Sequence, residues 1–353
     1  MMLTARFGRS RVINRVNAVL IMAMMAAYYS LHLMVLRMEQ LERRIDRELL
    51  SMNGGENMSP EAQEVEDELS QYSFNFTIDM NNPGKCNSSE EVFLLILVTT
   101  SPENHRHRFE IRQTWGNVSS VSGANIRTVF AVGKPKNREA QVALEKENTI
   151  HHDIIQGNFV DSYRNLTLKT MLCLKWAMQY CPQARYVMKA DDDTFVSIFT
   201  LVKHLQELPS DTTDFVTGFV YNSRVPLRDP FFIPKWYVSW KEYPRDSYPK
   251  YPSGFGYVLS SDIIVKIYQA ALDIRYFFLE DVYIGLCIEK LSISPVHHSG
   301  FWPEFVDIPS CRVDWLLASH WVKEPEVMLN HWAKQNTNCS LVSQDNVDDQ
   351  ASE

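Results

Sequence analysis

The chain runs to 353 residues, is 45% hydrophobic and carries a formal net charge of −8. That is enough apolar material for the core of one large domain or two small ones. The acidic balance, with no basic block beyond residue 47, argues against nucleic acid as a natural partner.

Residues 18–36 (AVLIMAMMAAYYSLHLMVL) are almost wholly apolar, and His32 is the one ionisable group among them. A stretch of this length just spans a bilayer as a helix. Arg6, Arg9, Arg11 and Arg15 precede it with no acid among them, whereas basic and acidic groups balance over residues 37–48. The positive-inside rule then keeps residues 1–17 in the cytosol and sends everything after the span to the lumen. A cleaved signal peptide would have a shorter apolar region ending in small residues, which Leu36-Arg37-Met38-Glu39 does not offer. A lumenal location predicts its own marks. N-x-[ST] sequons follow at Asn57, Asn75, Asn87, Asn117, Asn165 and Asn338, with Pro60 disfavouring the one at Asn57. Cys86, Cys173, Cys181, Cys287, Cys311 and Cys339 all follow the span, which suggests disulfides of open connectivity; Cys173 also reads as a buried free thiol.

Met38, Leu41, Ile45, Leu49 and Met52 recur at helical spacing, a short amphipathic helix that could pair two chains as a homodimer through the stem. Residues 53–85 are polar and acidic with Gly54-Gly55, Pro60 and Pro83, so 37–90 is read as a lumenal stem. The globular domain is expected over 91–341, followed by an acidic tail, 342–353. Within the domain, Val92–Thr99 is a continuous apolar run, as in a strand buried on both faces. A second strand is expected at Ile126–Val132, a helix at Lys136–Thr149 and a short strand at Ile154-Ile155. An amphipathic helix follows at Leu166–Tyr180, then a strand at Tyr186–Ala190 and a helix at Ser197–Leu208. The alternation predicts a mostly parallel sheet with helices on both faces, with ligands bound beyond the carboxyl ends of the strands.

Asp191-Asp192-Asp193 sits at one such end. Three adjacent carboxylates repel one another, and a divalent cation would neutralise them and a diphosphate together; an acidic turn that ends a strand is the plainer reading. Arg106, Arg108 and Arg112 follow the first strand, where guanidinium forks could reach a diphosphate or lie in water. Asp161, Ser162 or Asn165 could cap the long helix that carries Lys169. The aromatic-rich segment around Trp236 and the glycines and tyrosines of residues 249–260, Tyr251, Gly254 and Gly256 among them, could line a carbohydrate cleft or fill a core. Glu280 and Asp281 open a helix expected over Val282–Leu291, where they suit the helix dipole or, for one of them, general-base work. His320 follows an apolar run and could complete a shell for Mn²⁺.

Five stretches stand in one order: IRQTWG (111–116), DSYRNLTLKT (161–170), YVMKADDDTFV (186–196), EYP with YPKYPSGFGYVLS (242–260) and EDVYIGLC (280–287). Together they resemble the β1,3-glycosyltransferase family, meaning the animal β1,3-galactosyltransferases and their N-acetylglucosaminyl- and N-acetylgalactosaminyl-transferring relatives. The resemblance covers residues 86–339. It implies an α/β GT-A fold with a Rossmann-like, mostly parallel sheet, a UDP-sugar donor, a divalent cation (usually Mn²⁺) and inversion at the anomeric carbon. Residue by residue, it implies Asp193 and His320 as metal ligands, Asp191 and Asp192 near the ribose and metal, and Asp281 as catalytic base. Arg108, Arg112, Trp115 and Lys169 match positions that line the donor pocket. Trp236, Tyr251, Gly254, Gly256 and Glu280 fall at the expected acceptor cleft, where Pro252 departs from the Cys or Ala of many relatives. The implied protein is a single-pass type II enzyme of the Golgi membrane, glycosylated at Asn75, Asn87, Asn117, Asn165 and Asn338. It would transfer galactose, or alternatively an N-acetylhexosamine, to the 3-hydroxyl of a glycan on a glycoprotein or glycolipid. Two other classes compete. Intact Asp193, Asp281 and His320 argue against a non-catalytic carbohydrate-binding or chaperone-like relative. A metal-dependent phosphatase would need a nucleophile or a second metal cluster that the sequence does not offer.

Overall fold

The computed structural model describes residues 74, 76–86, 91–231, 233–307, 314–320, 322 and 325–335. The expected span at 18–36, the helix after it, Asn57, Asn75, Asn87, Asn338, Cys311, Cys339 and the acidic tail lie outside these residues. Among the described residues no helix is long and apolar enough to cross a membrane.

In chain order the elements begin with β1 (Ile78–Met80), β2 (Val92–Thr99), α1 (His105–Gln113), β3 (Ser120–Val121) and β4 (Ala124–Lys134). Next come α2 (Arg138–His151), β5 (Ile154–Val160), α3 (Leu166–Tyr180), β6 (Ala184–Asp191), β7 (Phe195–Val196) and α4 (Ile198–Gln206). The chain continues with β8 (Val216–Tyr221), β9 (Tyr251–Ser260), α5 (Ser261–Leu272), α6 (Glu280–Lys290) and β10 (Val296–His297). It closes with β11 (Phe301–Trp302), β12 (Ala318–Ser319) and α7 (Pro325–Gln335). The main sheet has nine strands in the order β1-β5-β4-β2-β6-β9-β8-β10, with β3 on the side of β4. Strands β5, β4, β2 and β6 are mutually parallel, as alternating strands and helices require, whereas β9 runs antiparallel to both β6 and β8. The sheet is therefore mixed: its parallel half was expected, its antiparallel half was not.

Side-chain alternation along β2 explains why its run is apolar throughout. Leu95 and Leu97 join one core with Val129, Val187 and the helices α3, α5 and α6; Leu94, Ile96 and Val98 join a second with Phe130, Met188 and residues of α4. All eight residues of β2 are buried, and each large apolar side chain so buried contributes about 1.5–3 kcal/mol. The expected domain start at residue 91 falls too late. Phe76 is buried, β1 pairs antiparallel with β5, Trp176 Nε1 donates to Asn81 Oδ1 at 2.7 Å, and Cys86 is bonded to Cys181. The segment read as the end of a stem is thus an edge of the domain. Cys173 and Cys287 are buried free thiols, each pushed up to about 12 by burial, so the even cysteine count does not mean that all are bridged.

The strand order fixes where a ligand can sit. From β2 the chain crosses to β4 and β5 on one side, then returns through α3 to β6 on the other. The carboxyl ends of β2 and β6 are the switch point, where the crossovers diverge and leave a crevice. Thr99 pairs with Asp191 across that crevice.

Candidate active site

The acidic triplet leaves β6 at this crevice, and its three members part company. Asp192 turns into the protein. It accepts hydrogen bonds from Thr100 Oγ1 (2.5 Å) and Asn104 Nδ2 (2.8 Å), with His107 Nδ1 at 3.6 Å. Burial opposes its ionisation, but these partners prevail and hold its pKa below the usual carboxylate range. Asp191, Asp193 and His320 instead converge, with one ligand atom from each within 4.8 Å of the others. His320 arrives from far along the chain on the small sheet β11-β12-β7. There Ala318 and Ser319 pair with Val196 and Phe195, just beyond Asp193. Its Nε2 lies 3.3 Å from Asp193 Oδ1, its ring stacks on Phe255, and its Nδ1 lies 3.2 Å from the Pro303 carbonyl. A proton on Nδ1 donated to that carbonyl leaves Nε2 as a lone-pair donor, the arrangement of a metal-ligating imidazole. Two carboxylates and one such nitrogen fit a divalent cation of the Mg²⁺/Mn²⁺ kind.

The second constellation lies where α6 packs against β9. Asp281 is half-buried; its Oδ1 accepts from its own helix's Val282 N–H at 2.9 Å, and Gly254 N–H lies 3.3 Å from Oδ2. Burial, and then the neighbouring Glu280 carboxylate, push Asp281 up to about 7 despite these donors and Lys189. A carboxyl poised near neutrality is suited to take a proton at physiological pH. Both acids stand in the first turn of α6, as the helix-dipole reading requires, yet burial and the like charge still raise Asp281. The hydroxyls of Tyr163 and Tyr251 are raised by burial first and by the Asp281 charge next. Trp236, 40% exposed, bonds to Tyr163 at the rim, and the Lys235 ammonium sits 4.2 Å over the Tyr163 ring.

Residues 106–299 match the Galactosyltransferase family. The chain is 40% identical over 243 residues to beta-1,3-galactosyltransferase 5 of Pan paniscus, covering 68% of this chain and 79% of that protein. It is 41% identical to the Mus musculus protein of the same name (68% and 78% covered), and 38% identical over 265 residues to beta-1,3-galactosyltransferase 1 of Mus musculus (75% and 79% covered). The chain belongs to the galactosyltransferase family.

Several site residues of this family member lie elsewhere than their motifs suggested. Arg108 is fully buried and spends its guanidinium on Glu147, at 2.8 and 2.7 Å, and on the carbonyls of Ser101 and Pro102. Arg112 pairs with Glu147 and Asp153 and lies 4.7 Å over the Phe130 ring. Trp115 is wholly within a hydrophobic core. Lys169 donates to the Thr100 carbonyl (2.6 Å) and pairs with Asp161 (2.9 Å). Arg108 and Lys169 hold the loop after β2 through the carbonyls of Ser101, Pro102 and Thr100, and all four side chains are engaged within the protein. Asp161 does not cap α3, because its carboxylate accepts from Gly133 N–H and binds Lys169; Asn165 does hold the N-cap position, as one of the expected alternatives, but its side chain donates to the Val160 carbonyl and makes no cap hydrogen bond. Of the described sequons, Asn117 is exposed, whereas Asn165 is half-buried and its sequon hydroxyl, Thr167, is buried on the Phe277 carbonyl. Gly256 lies within the β6–β9 ladder opposite Ala190, and Glu280 is 3% exposed, so neither faces an acceptor. Gly254 does meet the site: its N–H lies 3.3 Å from Asp281 Oδ2, and a Cβ there would come within 3.5 Å of the same oxygen.

Sequence reasoning missed Lys189 and Tyr257, an adjacent cross-strand pair of β6 and β9 that flanks Glu280. One signal was available. Lys189 shares the inward face of Val187 on a strand read as buried, and a lysine there must find an acid.

Proposed function

We propose that this chain is an inverting β1,3-galactosyltransferase of GT-A architecture, moving galactose from a UDP-linked donor to the 3-hydroxyl of an acceptor glycan on a glycoprotein or glycolipid. The observation that carries the reading is the link from Asp281, through Gly254 and Lys189, to the Asp191–Asp193–His320 cluster, with the Asp281 carboxyl pushed up to about 7. Asp281 accepts the acceptor O3 proton as O3 bonds to the donor anomeric carbon. The bond from that carbon to UDP breaks at the same time, and the electron pair leaves with UDP. One displacement turns an α-linked donor into a β-linked product, and no enzyme nucleophile is required. Asp191, Asp193 and His320 would hold Mn²⁺, which when bound supplies positive charge to the departing diphosphate. Tyr163 and Trp236 are suited to position the acceptor ring beside the base, with Tyr251 buried behind them at 7% exposure. The apolar segment 18–36, with four arginines before it, supports a type II anchor in the Golgi membrane. The Cys86–Cys181 bridge suits an oxidising lumen.

The test is the purified full chain in detergent with Mn²⁺, a panel of UDP-sugars and simple β-glycosides. Galactose should transfer from UDP-galactose in a β1,3 linkage, read by NMR of the product, and chelation should stop it. No transfer from any UDP-sugar, with no manganese-linked affinity for UDP, would overturn the reading.

A further inference from the structure

Glu280, one residue from the base, is nearly fully buried and takes no part in the reaction above. Its Oε1 accepts the Tyr257 hydroxyl at 2.7 Å; its Oε2 has no hydrogen bond and lies 3.6 Å from Lys189 Nζ. Lys189 is equally enclosed. The same ammonium holds Asp191 Oδ1 at 2.5 Å and donates to the Gly254 carbonyl, while Gly254 N–H faces Asp281. One cation therefore touches a carboxylate of the metal cluster, the residue that contacts the base, and the acid next to the base.

We propose that Glu280 and Lys189 form a buried charge pair that sets the basicity of Asp281 and ties the base to the cation-holding carboxylate Asp191. The inference deepens the transferase reading and rests on it. Burial pushes the Glu280 carboxyl up and Lys189 is the first group to pull it back; in this proposal the charge that Lys189 sustains on Glu280 repels a proton-free Asp281. The titratable groups within electrostatic reach of Asp281 are Glu280 on α6, Lys189 on β6, Tyr221 on β8, Tyr251 and Tyr257 on β9, Tyr248 before β9 and Tyr163 before α3. Burial raises all five tyrosines, so they stay neutral across the working range, and Glu280 and Lys189 are the charged pair among these groups.

Glu280→Gln keeps the shape and the acceptor for Tyr257 but removes the negative charge, with Lys189 intact. The acidic limb of kcat/KM against pH should move down by about one unit, with manganese-linked UDP affinity unchanged. An unmoved limb in an active Glu280→Gln variant overturns the proposal. Lys189→Arg, which keeps the cation, should retain most activity that Lys189→Met loses; equal loss in both overturns it as well. The Asp281 carboxyl can also be titrated by ¹³C NMR, its signal assigned by its absence in Asp281→Asn. That titration should show the same downward shift in Glu280→Gln even in a protein that transfers no sugar. Failure of the transferase reading and failure of this inference are thereby separated.

Discussion

The two halves of the sheet bring opposite chemistry to one crevice. On the parallel side (β5, β4, β2 and β6), positive side chains near the site are consumed internally. Arg108 and Arg112 are locked to Glu147 and Asp153, and Lys169 is locked to Asp161. Burial would raise Glu147, yet these guanidiniums hold its carboxyl low. On the antiparallel side, β9 and α6 offer aromatic rings, a close backbone approach at Gly254 and an acid with no strong cation of its own, so Asp281 is raised rather than lowered. The contrast teaches that a charged residue in a motif can serve the scaffold while its neighbour serves the chemistry, and that burial with or without a partner decides which.

The sharpest way to break this contrast is to remove its one unmatched acid. Asp281→Asn should cut transfer by about 10²–10⁴-fold while UDP binding survives, and turnover near that of the native chain would remove Asp281 from the mechanism. Next in size, Asp193→Ala or His320→Ala should weaken manganese-linked UDP affinity by about tenfold or more; calorimetry with and without Mn²⁺ reads this, and an unchanged difference would dissolve the cluster as a metal site. On the parallel side the expectation reverses. Arg112→Met leaves Asp153 without its guanidinium and Glu147 with Arg108 alone, and should cost about 3–5 kcal/mol in denaturant unfolding, while the remaining folded protein binds UDP normally. A folded, stable Arg112→Met that fails to bind UDP would return Arg112 to the donor pocket.

The smallest effect sharpens the other side. A carboxyl whose folded pKa lies near 7 takes up a proton on folding, so between its unfolded value near 4 and pH 7 stability falls as pH rises. Asp281→Asn removes that loss. Its Tm gain should therefore be larger at pH 8 than at pH 4.5, by about 2 °C or more. An equal gain at both pH values would mean that Asp281 ionises normally in the folded chain.

Much of this was legible beforehand where the signal is local. The β2 run is apolar because both faces are covered. Helix α3 formed where its pattern placed it, but it is not the amphipathic helix expected, since residues 169–174 are all buried between the sheet and the helices α5 and α6. The acid triplet ends a strand, and the motifs mark the family. Boundaries moved where a few residues of weak pattern were recruited by pairing, as with β1, which β5 holds at the sheet edge. The internal partners of the donor-side residues were not legible for another reason: a motif names residue types but not their partners, and Glu147 and Asp153 stand 35 to 41 residues from Arg112.

By itself the amino-acid sequence determined the α/β alternation, the position of the acids at a strand end, the pairing of Glu280 with Asp281 at a helix start, and the family. Only the tertiary structure decided that Asp191 and Asp193 converge with His320 while Asp192 turns away, that Lys189 is buried against Glu280, and that Asp281 is the acid left near neutrality. The physical reason is that periodicity and residue type are encoded by neighbours a few positions apart. Burial and charge pairing depend instead on residues that only the crossover from β2 to β6, and the return of β12 onto β7, bring together.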